Sequence, residues 1–385
     1  MAKSAATDRT KNPIPVCSGM SGLGKTRMLE EGGTILREMM KLEPKNVSCL
    51  IVPYVNGFSF QPVEQSMPIE ASFSWRLLYR FFLDMNCSHS FQSWFEPRLP
   101  RNGGRLWFSR AVEVIERKLP GKMLEQPATL YLFLGIDEYQ QIEKVRAPRK
   151  DPETSLLHEL VEVVGAFLSS QCSSMVLLPM FAGTDLGVIE SSSIANSSYY
   201  VTYRLPMTLL TMDQVFSIVE SINRYAGLLK YPQIRCDLLG LSGVPRWVVT
   251  YLTEVKRACD GSEDVSLKCI SGCFGATWTM YVDRYLKSLD LPKLVRLAAF
   301  AVSGQKVQDI DRFDEDLGWA RLRDSSLCLL IPHAFGACDV RVPYALLQSI
   351  GMAVNAMTTA AEKCFASALH DLDDIVDSKM FDLPP

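Results

Sequence analysis

Four short apolar runs stand out in the first half of the chain, at 14–18, 48–54, 129–136 and 175–182. Each is continuously apolar and rich in Val, Ile, Leu, Phe and Tyr, as strands buried on both faces of a parallel sheet should be. Between them, apolar positions recur at helical spacing over 27–40, 106–118 and 156–169. Strands alternating with helices predict an α/β fold. Pro13 and Pro15 open the first strand, where a central strand tolerates proline only at its first residues. From about residue 206 the periodicity turns mostly helical, over 212–225, 248–258, 278–286 and 291–301. Two late apolar runs, 326–332 and 339–343, flank His333 to Cys338 and read as a β-hairpin or wing.

Composition narrows the class. At 385 residues, the chain is long enough for two or three domains, and 48% hydrophobic against 22% charged residues supports a packed core. Lys plus Arg number 40 against 43 Asp plus Glu, a formal charge of -3. That balance argues against a general nucleic-acid coat or a membrane-surface protein, while leaving room for a local basic groove. The 11 cysteines show no CxxC pair, and the Cys269/Cys273 pair has no second pair or histidine to complete a zinc site. They read as free thiols in a reducing compartment. The polar start MAKSAATDRTKNPIP lacks the apolar core of a signal peptide, and every apolar stretch is broken well short of a bilayer span. A soluble intracellular protein with no membrane partner is expected. His89, His158, His333 and His370 form no HExxH or Ser/His/Asp pattern.

The strongest motif follows the first strand. Gly19-Met20-Ser21-Gly22-Leu23-Gly24-Lys25-Thr26 matches GxxxxGK[ST] in full, and Arg27 continues into a helix. The glycines let successive N–H groups face a phosphate at a helix N-terminus. Lys25 supplies a charge to the β- and γ-phosphates, and Thr26 offers a hydroxyl to Mg²⁺.

A second apolar run, Tyr131-Leu132-Phe133-Leu134-Gly135-Ile136, ends in Asp137-Glu138. Asp137 is placed to hold Mg²⁺ through water and Glu138 to orient the attacking water as general base. The adjacent glutamate favours a hydrolytic ATPase over a small-molecule kinase, and the lack of an NKxD or TKxD motif favours ATP over GTP. Thr184, after the fourth run, reads either as a γ-phosphate sensor or as an ordinary turn residue. In Leu239-Gly240-Leu241-Ser242-Gly243-Val244-Pro245-Arg246, Pro245 and Arg246 open a helix. Arg246 either lays a cation across bound phosphates or simply belongs to a helix start capped by Ser242. Arg146, Arg149 and Arg204 are alternative cations. The aromatic residues concentrated between Phe58 and Phe108 read as core and lid packing.

Taken together, PVCSGMSGLGKTRMLEE, LYLFLGIDEYQ, FAGTDLG and LSGVPRW resemble the P-loop NTPase module of Crinkler effectors over about 13–385. Those are proteins of oomycetes such as Phytophthora and of some fungi, and the module is shared with kinetoplastid retrotransposon hot spot proteins. The resemblance implies an AAA-like or STAND-like ATPase with a helical and winged-helix-like C-terminal region. In such proteins a GGxPR-like turn places its Pro and Arg near the nucleotide, which corresponds here to Pro245 and Arg246. The family also implies secretion into a host cell and action in the host nucleus. This sequence departs from the pattern at both ends. No LxLFLAK-type header precedes the loop, and the chain stops at Pro385, about where a C-terminal nuclease begins in the family.

The organisation expected is therefore a polar tail at 1–12, a P-loop NTPase domain at 13–205, a helical lid or sensor region at 206–261 and a helical, winged-helix-like domain at 262–385. ATP and Mg²⁺ are the expected cofactors, with hydrolysis switching the helical region relative to the sheet. Expected partners are the nucleotide, a second copy in a homo-oligomer and, from the resemblance, a host protein or nucleic acid. The competing reading is a non-hydrolysing ATP-binding platform for interaction or oligomerisation. A third, direct action on nucleic acid, rests on the winged-helix texture alone.

Overall fold

The structure is a computed structural model, and it describes residues 13–55, 58, 60–83, 90–96, 99, 103–119, 129–145, 155–170, 175–184, 202–222, 225, 227–241, 243–259, 272–280, 287, 289–308, 311–325, 327–332 and 337–355. By packing, the chain divides into two compact units, Met1–Ser18 with Lys25–Pro206, and Gly19–Gly24 with Met207–Pro385.

The first unit is built on five strands, β1 (Ile14–Ser18), β2 (Val47–Pro53), β3 (Leu130–Asp137), β4 (Met175–Gly183) and β5 (Thr202–Pro206). They form one sheet in the order β2-β3-β4-β1-β5, and every neighbouring pair is parallel. The helices are α1 (Lys25–Met40), α2 (Ile69–Phe82), α3 (Phe91–Phe95), α4 (Phe108–Lys118) and α5 (Leu156–Ser170). Strand alternation assigns them to the two faces. Leu132, Leu134 and Ile136 point into a core shared with Phe73, Leu77, Val112, Ile115, Leu160 and Val164 of α2, α4 and α5. Phe133 points the other way, onto Gly32 of α1, so closely that a Cβ there would lie 2.2 Å from the ring. This is the P-loop NTPase arrangement of a parallel sheet with helices on both faces.

The prolines of β1 are accommodated by register. Pro15 pairs with Tyr203 of β5, but the ladder to β4 begins only at Val16, opposite Phe181. The fifth strand, α2 and the short α3 lie outside the four strands and three helices that periodicity predicts. Strand β5 holds alternating Tyr203 and Arg204 at the sheet's edge rather than a continuous apolar run. Helix α2 buries Ser72, Ser74 and Arg76 beside its apolar residues, which blurs its stripe. Arg76 forms a fully buried ion pair with Glu64 at 2.6 Å, and its guanidinium lies 4.8 Å from the Tyr54 ring centroid and 4.6 Å from that of Phe91. Ser72 Oγ and the Gln61 N–H also donate to Glu64, at 2.6 and 2.8 Å.

The second unit is mainly helical. Its helices are α6 (Met212–Ser221), α7 (Pro232–Gly240), α8 (Pro245–Cys259), α9 (272–280), α10 (Leu291–Ser303), α11 (Trp319–Asp324) and α12 (Tyr344–Asn355). Thr211 caps α6 by accepting from the Gln214 N–H at 3.3 Å, and Asp290 caps α10 by accepting from the Lys293 N–H at 3.0 Å. The expected hairpin is present as β9 (Leu329–Pro332) and β10 (Ala337–Arg341), antiparallel, with β6 (Lys306–Gln308) on the other side of β10. This three-stranded wing and the helices share one hydrophobic core running from Val215 to Ile350. That core crosses the expected division at 261/262. A small β7–β8 ribbon (Arg312–Asp314, Leu317–Gly318) adds Phe313 to it.

Candidate functional site

The phosphate-loop motif follows β1, and the two halves of its sequence pack differently. Gly19 to Gly24 group with the second unit, whereas Lys25 and Thr26 open α1 in the first. Within the loop, Gly22 and Gly24 adopt left-handed backbone, with φ of 93° and 91°. At Gly24 there is open space around a Cβ, so the requirement is conformational; at Gly22 a Cβ would also press on that of Arg246 at 3.1 Å. Met20 and Leu23 are buried against Leu329, with Met207 and Leu209 packed alongside.

In the first unit, Thr26 and Asp137 meet. The Thr26 hydroxyl donates to Asp137 Oδ2 at 2.9 Å. Lys25 is 5% exposed, as is Asp137. Burial raises the Asp137 carboxyl above the usual carboxylate range; the Thr26 hydrogen bond opposes this and the neighbouring Glu138 charge adds to it. Burial likewise pushes the Cys17 thiol up to about 11, against the pull of the Lys25 charge. A hydroxyl and a carboxylate are hard oxygen donors, the set that Mg²⁺ takes in combination with phosphates and water. Among the described residues no group of three or more His, Cys, Asp or Glu is arranged to hold a metal ion. Thr26 and Asp137 therefore fit a Mg²⁺ shared with phosphates rather than one caged by protein alone.

Glu138 follows immediately, in a left-handed conformation with φ of 56°. Such a backbone costs a non-glycine residue about 1–3 kcal/mol and is characteristic of constrained functional turns. The turn is held by the Glu138 N–H donating to Asp137 Oδ1 at 3.1 Å and by the Gln141 N–H donating to the Glu138 carbonyl at 2.8 Å. The register explains what lies next to it. Asp137 is paired with Ala182 and Ser18 with Gly183, so the ends of β3, β4 and β1 lie side by side at the edge where parallel sheets bind ligands. Thr184 leaves β4 there. Gln140, the last residue of LYLFLGIDEYQ and one to which the sequence assigned no role, joins the two: its Nε2 donates to Glu138 Oε2 and, at 2.9 Å, to Thr184 Oγ1.

In the second unit, Pro245 is the first residue of α8 and Arg246 the second. The Arg246 N–H donates to the Gly22 carbonyl at 3.1 Å and its guanidinium Nη1 to Ser21 Oγ at 2.9 Å. Arg246 is thus brought to the loop, contacting the backbone and a side chain of the motif itself. Arg204 sits on β5; Arg146, Arg149 and Ser242 lie outside the described residues, as do His89, His333 and His370. His158 pairs with Glu162 on α5 at 3.2 Å. Cys17, Cys49, Cys236, Cys273, Cys328 and Cys338 take part in no disulfide. No helix among the described residues is long and apolar enough to cross a membrane.

No protein-family model and no curated protein matches this sequence. Similar solved structures include the Aeropyrum pernix ORC2 protein in ADPNP-ADP complexes, at 12% identity and a TM-score of 0.45, covering 90% of this chain and 89% of that one. The A. pernix ORC1 protein in complex with DNA aligns at 13% identity and a TM-score of 0.40, over 88% of this chain and 86% of that one. Cdc6p from Pyrobaculum aerophilum aligns at 16% identity and a TM-score of 0.39, over 89% of both chains.

Proposed function

We propose that this chain binds ATP with Mg²⁺ at its phosphate loop and hydrolyses it. The observation that carries the reading is the 2.9 Å hydrogen bond between Thr26 and Asp137, followed directly by Glu138 in its constrained turn. Lys25 would neutralise the β- and γ-phosphates, while Thr26 and Asp137 would hold the metal, directly and through water. When bound, Mg²⁺ supplies charge neutralisation between the phosphates. Glu138 would orient water and accept its proton. Thr184 and Arg246 would contact the γ-phosphate, and Gly19 to Gly24, with Arg27 and Pro245 flanking, would shape the phosphate cradle. The retained carboxylate at 138 favours turnover over a binding-only platform.

Steady-state ATP hydrolysis with Mg²⁺ tests this in the intact chain, Lys25→Ala and Glu138→Gln. Turnover lost in both variants, with Glu138→Gln still binding ATP, supports the assignment. Tight binding without turnover in the intact chain would replace it with the nucleotide-gated platform.

The same motifs support a Crinkler-type effector module as the biological setting. On that proposal, the nucleotide state governs an interaction with a host protein or nucleic acid in the host nucleus, in a monomer or a homo-oligomer. A fluorescently tagged chain delivered to host cells should accumulate in nuclei; exclusion from nuclei counts against it.

A further inference from the structure

We infer that Gln140 is a positioning residue that fixes the hydrogen-bond polarity of Thr184 and Glu138 together, coupling recognition of a terminal phosphoryl group to orientation of the base. The inference rests on the ATPase reading above and deepens it. Gln140 lies in the 3-10 turn Tyr139–Val145 directly after β3, and Thr184 lies directly after β4.

The amide is oriented by a backbone group. The Thr184 N–H donates to Gln140 Oε1 at 3.3 Å, and a backbone N–H has no other role to play, so the oxygen end of the amide faces Thr184's main chain. The Nε2 end, which carries two hydrogens, then meets two acceptors, Glu138 Oε2 and Thr184 Oγ1. Both consequences bear on chemistry. Because Thr184 Oγ1 accepts from Gln140, its own hydrogen is left to be donated, and a phosphoryl oxygen is purely an acceptor. Because one oxygen of the Glu138 carboxylate is occupied by Gln140, the other is the one presented to water. A single amide therefore sets both groups in complementary roles, which is preorganisation in its usual sense.

The seat of the amide is fitted. A Cβ at Gly183 would lie 2.3 Å from Gln140 Oε1 and 2.7 Å from the Tyr139 ring. Tyr139 is itself fully buried, with its ring edge-on to Phe181 at 6.3 Å between centroids. Close packing on one side and three hydrogen bonds on the other leave the glutamine little freedom to play a passive surface role.

The test compares the intact chain with Gln140→Met, which keeps length and packing but no hydrogen bonds, with Thr184→Val, and with the double variant. Binding of fluorescent ADP and of a non-hydrolysable ATP analogue is measured alongside turnover and melting temperature. The expected result is unchanged ADP affinity, a preference for the ATP analogue reduced about 5- to 10-fold, and kcat reduced about 10- to 100-fold, with KM rising by no more than the affinity for the analogue falls. The double variant should be no worse than either single one. Gln140→Asn, too short to span both partners, should behave like Gln140→Met, which separates positioning from mere polarity. Retention of the triphosphate preference and kcat in a folded Gln140→Met protein would overturn the inference while leaving the ATPase reading intact, as would strictly additive losses in the double variant. An intact chain that prefers the ATP analogue in a Gln140-dependent way but turns nothing over would overturn hydrolysis, and with it the coupling to the base, leaving only the recognition of the terminal phosphoryl group. An intact chain that binds neither nucleotide would overturn both.

Discussion

Thr26 and Asp137 are 111 residues apart in sequence and 2.9 Å apart in space, joined by one hydrogen bond across the sheet's C-terminal edge. A hydroxyl that donates to this carboxylate is aligned toward the oxygen it would share a metal with. Thr26→Val and Asp137→Asn should each weaken Mg²⁺-dependent nucleotide binding, and together they should lose less than the sum. Residues in direct contact couple by about 0.5–3 kcal/mol in such cycles. Chelation of Mg²⁺ should abolish turnover in the intact chain. Strict additivity in the cycle would show that the two side chains serve the nucleotide separately.

Arg246 should matter to nucleotide more than to folding. It is exposed, and its bonds to Ser21 and Gly22 tie it to the loop rather than to the core. Surface substitutions of this kind usually change stability by about 0.5 kcal/mol or less. Arg246→Ala should therefore keep its melting temperature while losing about 5- to 50-fold in ATP affinity, a loss in the range of a charge-assisted hydrogen bond. Calorimetric titration reads this directly. An unchanged affinity would reduce Arg246 to a tether for Ser21.

The Glu64–Arg76 pair is the opposite case, buried throughout and serving the fold. Removing one partner leaves the other charge without compensation, which typically costs about 3–5 kcal/mol. Arg76→Ala should lower the urea midpoint by a corresponding amount, and Glu64→Ala should do likewise. Replacing both by apolar residues of similar volume should recover much of the loss, because the desolvation cost disappears with the charges. A double replacement as unstable as the single ones would mean that Ser72, Gln61 and the Phe58 carbonyl depend on the pair for their own satisfaction.

How much of this was legible in the sequence depends on whether the signal was local. The phosphate loop, Asp137 and Glu138 were legible because each is a contiguous string whose chemistry follows from its neighbours. Strands β1, β3 and β4 were legible because burial on both faces enforces continuous apolar runs, and β2 because its edge position still carries Leu50, Ile51 and Val52 in succession. Strand β5 was not, since an edge position lets Tyr203 stand 58% exposed beside Arg204. Helix α2 was hidden by Arg76 and Ser72, whose burial is explained by partners outside the helix, Glu64 above all. The role of Gln140 was invisible for a related reason: it joins its near neighbour Glu138 to Thr184, which lies 44 residues further along the chain. Their proximity is a property of strand order, which puts β3 beside β4, and not of any spacing. The grouping of Gly19 to Gly24 with the second unit is likewise tertiary, arising from Met20, Leu23 and Leu329.

Asp237 in α7 gives a pH dependence with a definite sign. Its carboxylate is buried, accepting from Tyr251 Oη at 2.6 Å and from Gln233 Nε2 at 2.8 Å. Burial dominates these two hydrogen bonds and raises its pKa above the ordinary value of 3.8. In the window between that ordinary value and the raised one, the folded chain holds a proton that the unfolded chain has released. Stability contributed by this group is therefore present at low pH and falls as pH rises through the window, levelling off above it. Asp237→Asn cannot ionise, and its amide oxygen can still accept from Tyr251 while Gln233 turns its own oxygen toward the new N–H₂. Urea unfolding measured between about pH 4 and pH 7 should show the difference in stability, variant minus intact, growing more favourable to the variant as pH rises. Other carboxylates cancel in that difference because they are common to both proteins. A difference that stays flat across the range would mean that Asp237 titrates alike folded and unfolded, and that its two hydrogen bonds fully offset its burial.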